Sequence, residues 1–207
     1  MTDTTATETD NLTIHDDDGN PRHELVLREG QLDGESLSYD ANGNLEQKTH
    51  YAGGKRNGSC AIYSAHGLLM QQHYKNDVLD GPAVIYGPPG MIAAELFYEA
   101  GRLQGEARYF SQGQLIRIAR YQAGLREGLT EDFTSEGDVS QSAAYKNDLL
   151  DGALCNYWKN GNLMERTQYE KGQRVGDIER FDQKGRPADA DGKTTLAGRI
   201  ESIFRGG

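Results

Sequence analysis

The chain has 207 residues, of which 36% are hydrophobic and 26 are glycine, with 11 tyrosines and only five prolines. That excludes a thick two-layer core and collagen, and it points to many turns between short elements. The formal net charge is -10, which disfavours direct binding to nucleic acid or an anionic membrane, because phosphate recognition needs a basic footprint.

Residues 1–20 hold Asp3, Glu8, Asp10, Asp16, Asp17 and Asp18 and no Lys or Arg. They read as an acidic, disordered leader. There is no basic stretch followed by an apolar one near the start, and no apolar run approaches eighteen residues, so a cytoplasmic location is the expectation. Cys60 and Cys155 are too few and too far apart for a disulfide framework or a thiolate metal site and read as reduced structural thiols.

From residue 21 to about 187 the chain repeats itself. His23 to Leu27 resembles the second half of a degenerate unit. Then come seven glycines, each followed five residues later by an aromatic: Gly34 and Tyr39, Gly58 and Tyr63, Gly81 and Tyr86, Gly105 and Phe110, Gly128 and Phe133, Gly152 and Tyr157, Gly176 and Phe181. Successive leading glycines lie 24, 23, 24, 23, 24 and 24 residues apart. A turn glycine follows each aromatic (Gly43, Gly67, Gly90, Gly113, Gly137, Gly161, Gly185). In the first six units an apolar residue and a closing tyrosine come next: Tyr51, Tyr74, Tyr98, Tyr121, Tyr145 and Tyr169. A period this regular is the signature of a repeat architecture.

Each unit holds two runs of strand length joined by a small polar turn such as DANGN or KNGN, which is a β-hairpin. A looser turn such as KNDVLDG leads to the next unit. The reading is all-β: a single-layer antiparallel array of hairpins, a twisted meander, with the leading aromatics in a row along it. In the tail, 188–207, the segment LAGRIESIFR spaces Leu196, Ile200, Ile203 and Phe204 as a short capping helix, with Thr194 or Thr195 as its N-cap.

The pattern of leading glycine, aromatic, turn glycine and closing tyrosine, with turns ending in Asp33-Gly34, Asp80-Gly81 and Asp151-Gly152, resembles the MORN and MORN-variant repeats. In particular it resembles bacterial antitoxin or immunity proteins of the YwqK type. The sequence departs from the pattern at Gln104 and Glu127, which stand where the first, third and sixth units carry Asp, and the second and fourth units are one residue short. The resemblance implies an immunity protein that neutralises a cognate toxin. An acidic inhibitor suits a toxin with a basic groove, such as a nuclease or another secretion-system effector acting in the cytoplasm. The alternative implied by the wider family is a scaffold that tethers protein partners or lipid at a membrane surface.

Catalysis is not expected, because repeats spread polar groups along a ribbon instead of converging them. The histidines, at 15, 23, 50, 66 and 73, lack metal-ligand spacing, and no cofactor is expected. His50 and His73 read as exposed strand residues. Gly53-Gly54-Lys55 lacks phosphate-loop spacing and reads as a turn between units. Glu131 and Asp132 are strand neighbours on opposite faces and do not share a proton.

Residues that break the repeat are the better candidates for partner binding. Four positions after the leading glycine the units carry Ser38, Ile62, Ile85, Tyr109, Asp132, Asn156 and Arg180, a row that changes from apolar to polar. Tyr109, Asp132 and Asn156 from that row, and Trp158, the sole tryptophan, at a turn, are the candidate partner-binding residues.

Overall fold

The computed structural model describes residues 9–189 and 193. Every regular element among them is a β-strand, and the chain divides into two compact units, 1–102 and 103–207.

The N-terminal unit contains β1 (Thr9–His15), β2 (Pro21–Arg28), β3 (Gln31–Leu32), β4 (Gly34–Tyr39), β5 (Leu45–Ala52), β6 (Lys55–Ser64), β7 (Gly67–Lys75), β8 (Val78–Leu79), β9 (Gly81–Gly87) and β10 (Met91–Glu99). After the boundary strand β11 (Arg102–Leu103), the C-terminal unit contains β12 (Gly105–Ser111), β13 (Gln114–Gln122), β14 (Leu125–Arg126), β15 (Gly128–Phe133), β16 (Val139–Lys146), β17 (Leu149–Tyr157), β18 (Leu163–Glu170) and β19 (Gln173–Arg180). Within each unit the strands pair antiparallel with their neighbours in sequence. Each unit is therefore a single-layer meander.

Six hairpins carry one extra residue on their second strand, at Glu46, Leu69, Ala93, Ile116, Ser140 and Met164. A bulge of this kind bends the strand and increases its twist. It sits beside the leading aromatic each time, so the aromatics keep equal places along each unit: Tyr39, Tyr63 and Tyr86 in one, Phe110, Phe133, Tyr157 and Phe181 in the other.

The turns between units are tighter than their sequence implies. KNDVLDG and KNDLLDG, read above as loose connections, hold Asn76-Asp77 and Asn147-Asp148 with both φ values positive, between 49° and 68°. That is a two-residue type I′ hairpin turn, which Asn and Asp tolerate and whose twist matches the strands. Gly53-Gly54, Ala100-Gly101, Ala123-Gly124 and Lys171-Gly172 do the same.

Each such turn is tied to the one before it. Gly54, Asp77 and Gly101 donate backbone N–H groups to the carbonyls of Leu32, Arg56 and Leu79 in the first unit, and Gly124, Asp148 and Gly172 to those of Leu103, Arg126 and Leu150 in the second. Asp33 and Asp80 add a carboxylate bond to the backbone of Gly53 and Ala100. Gln104 and Glu127 accept the equivalent bonds from Ala123 and Asn147 at 2.9 Å. Gln104 and Glu127 thus keep the contact of Asp33 and Asp80 with a longer side chain.

The acidic leader needs a correction. Thr9–His15 is strand β1, and all seven of its residues have partners on β2. Leu12, Thr13 and Ile14 have strand propensity, and β2 offers an open edge, so pairing outweighs the polar composition. Residues 1–8 and the capping helix expected over 194–204 lie outside the described residues.

Candidate functional site

Strand alternation assigns every side chain to a face. On one face, three rows run across each unit. The first is the closing tyrosines, opposite the leading glycines. The second is small side chains two places after those glycines, with their partners. The third is the position-four residues and theirs.

The middle row holds most of what is buried: Thr49, Cys60 and Ala83 in the first unit and Ala107, Ala119, Thr130, Ala143 and Thr167 in the second. Small residues flanked by two rows of tall ones make a trough whose floor is shielded by its walls. This is how a single layer buries side chains. Cys60 lies in it as a free thiol, 3.3 Å from the Thr49 hydroxyl.

In the C-terminal unit the trough opens into a groove of about 480 Å³ lined by Tyr109, Ile116, Arg117, Ala119, Tyr121, Arg126, Thr130 and Asp132. Ala119 and Thr130 form the floor. The Tyr109 and Tyr121 hydroxyls lie 3.2 Å apart. Arg117 clamps Asp132 with two bonds, Nε to Oδ1 and Nη2 to Oδ2, the latter at 2.9 Å. The bond to Asp132 is the main cause holding the Arg117 guanidinium above its ordinary pKa.

Arg126 stacks on the Tyr145 ring at 3.9 Å and donates to the Asp148 carboxylate at 3.0 Å. Arg56, Tyr74 and Asp77 repeat this arrangement in the N-terminal unit. These pairs fix the long side chains of the walls, so a partner docking there has few rotamers left to order.

Two of the four candidate residues come together: Tyr109 and Asp132 both line the groove. Asn156 continues the same row, where Gln141 donates to its side-chain oxygen at 2.9 Å. Trp158 lies outside the strands and does not line the groove. It starts the β17–β18 turn, is half-buried, and its indole N–H donates to the Phe181 carbonyl at 3.0 Å.

Sequence reasoning missed Arg117, Tyr121 and Arg126. A signal for the first was available: position-four residues pair across units with the residue fifteen earlier, as in Arg117 with Asp132, Gln141 with Asn156 and Glu165 with Arg180. The same interval operates on the other face, where Tyr39 donates to Glu24 and Tyr86 to Gln71, and the Tyr157 and Ser142 hydroxyls pair.

His50 and His73 are exposed strand residues as expected. Among the described residues no group of His, Cys, Asp and Glu could hold a metal ion, and no helix is long and apolar enough to cross a membrane.

Comparison with known proteins adds a family likeness. Residues 32–52 and 150–171 match the model of the MORN repeat variant, beginning two residues before Gly34 and two before Gly152, in one register. No curated protein matches the chain. These two stretches are similar to the MORN repeat variant, which is consistent with a repeat scaffold or a protein-binding role.

Proposed function

We propose that the chain is an immunity protein that binds a cognate bacterial toxin in the cytoplasm and blocks it without chemistry of its own. The observation that carries this reading is the pre-ordered groove of the C-terminal unit. Aromatic walls, exposed Ile116 and a clamped carboxylate at Asp132 lie on a rigid meander. Tyrosine and arginine are favoured anchors at protein interfaces, and a surface already ordered loses little conformational entropy on docking.

The net charge of -10 favours a basic partner at long range, while the groove's own unit is nearly balanced, with 14 Asp and Glu against 12 Lys and Arg over residues 103–189. Charge does not favour lipid. Four of the five arginines over residues 102–126, the main basic concentration, are spoken for: Arg108 and Arg120 pair with Glu106, Arg117 with Asp132, and Arg126 with Asp148. Paired in this way, they offer an anionic bilayer little net attraction.

The reading expects the gene beside this chain's own to encode a protein with a toxin domain, and the test is co-expression with that protein. Protection of the cells and co-purification of the pair are expected. Unprotected cells, or purified proteins that do not associate, would show the reading to be wrong.

A further inference from the structure

The N-terminal unit has an open edge. All seven residues of β1 have partners on β2, and among the described residues β1 pairs with no other strand. Among the described residues, then, no strand lies beside its outer backbone N–H and C=O groups, which form a template for another strand.

Edge strands are normally guarded by lysine, proline or a bulge. Thr9–His15 contains no Lys, Arg or Pro, and its one irregularity falls at its last step, between Ile14 and His15. The last strand of the other unit, β19, is defended differently. It carries Arg174 and Arg180, departs from regular pairing near Gly176, and is followed by a hook in which Ala188 donates to the Arg180 carbonyl at 2.9 Å.

Two further features of β1 specify an occupant. Leu12 and Ile14, on one face by alternation, are 43% and 42% exposed. Asp10, Asp17 and Asp18 are exposed around them, while the two arginines of β2, Arg22 and Arg28, are already paired with Asp16 and Asp33. The region around them is acidic too: residues 9–102 hold 14 Asp and Glu against 7 Lys and Arg, whereas residues 103–189 hold 14 against 12. A second copy of this chain would bring the same acids into one contact and is disfavoured by charge.

We propose that β1 takes up an extended basic segment of a second protein by strand addition. The segment spans about seven residues, or roughly 24 Å. It places apolar side chains over Leu12 and Ile14 at alternate positions and Lys or Arg near Asp10, Asp17 and Asp18. Main-chain hydrogen bonds supply affinity and the alternating side chains supply selectivity. This surface shares no residue with the groove, and the proposal does not depend on the partner proposed for the groove.

The probe is a blocked nine-residue peptide alternating Lys with Val, and its control alternates Glu with Val. Added to the full chain at low salt, the Lys peptide is expected to slow amide hydrogen exchange over residues 9–15. The Glu peptide should bind at least tenfold more weakly. The variant Leu12→Lys with Ile14→Lys, at exposed positions, should unfold at the same temperature as the parent and bind the Lys peptide at least tenfold more weakly.

Unchanged exchange over 9–15, equal binding of both peptides, or undiminished binding by the variant would overturn the proposal. So would a dimer of the chain alone, detected by sedimentation equilibrium and abolished in the variant, because β1 would then serve self-association.

Discussion

Gly152 has φ +119°, and a Cβ built there would lie 2.9 Å from the Cβ of Ala144. Gly105 holds the equivalent place with φ +76° and nothing within 4 Å. Backbone strain acts at both and a steric clash only at the first. Gly152→Ala is expected to cost about 2 kcal/mol or more and Gly105→Ala about 1 kcal/mol, read as shifts in urea midpoint. Equal costs would mean that the close approach contributes nothing. Trp158 gives a second prediction at this scale. Trp158→Phe keeps an aromatic ring, smaller than the indole, and removes the donor to the Phe181 carbonyl, with an expected loss of at least about 1 kcal/mol. The sequence offered Trp158 as a binding anchor because it breaks the repeat. Its structural role was not legible, since the acceptor is a backbone atom 23 residues on and side-chain identity says nothing about it.

Among the elements, the type I′ turns have a titratable part. The Asp77 and Asp148 carboxyls are held below their ordinary pKa, first by the backbone N–H groups of Arg56 and Arg126 and then by the two guanidinium groups. A carboxyl depressed in the folded state stabilises the fold at pH values above its unfolded pKa of about 3.9, and that stabilisation is lost as pH falls through the folded value. Replacing both with Asn keeps a residue that accepts positive φ and removes the charge. The double variant is expected to be less stable at pH 7 and to show a shallower loss below about pH 4. Urea midpoints measured from pH 7 to pH 2 check this, and curves that stay parallel for parent and variant would contradict it. The hairpins themselves were legible because glycine and aromatic recur at fixed intervals. Strand β1 was not, because Thr9–His15 carries neither landmark and its side chains are exposed throughout. Its order comes from pairing with β2, a contact outside its own sequence.

At the scale of the whole molecule, a repeat array gains stability mainly from contacts between neighbouring units. Here the turn-to-turn hydrogen bonds and the pairs at an interval of fifteen residues supply such contacts along each half. The shared face of Tyr109, Asp132 and Asn156 was legible from strand alternation, and the apolar-to-polar change of the position-four row was visible in the sequence. The groove was not, because it needs the small residues of the middle row and the arginine partners of neighbouring strands to come together. The central claim is that this groove is the docking site for a toxin. Its most direct test is calorimetric titration of the purified toxin with the parent protein and with the Tyr109→Ala, Asp132→Ala double variant, after both are shown to unfold cooperatively. The account predicts association by the parent and a loss in the variant of at least about 2 kcal/mol, roughly thirtyfold in affinity. Equal affinities for the two proteins would contradict it.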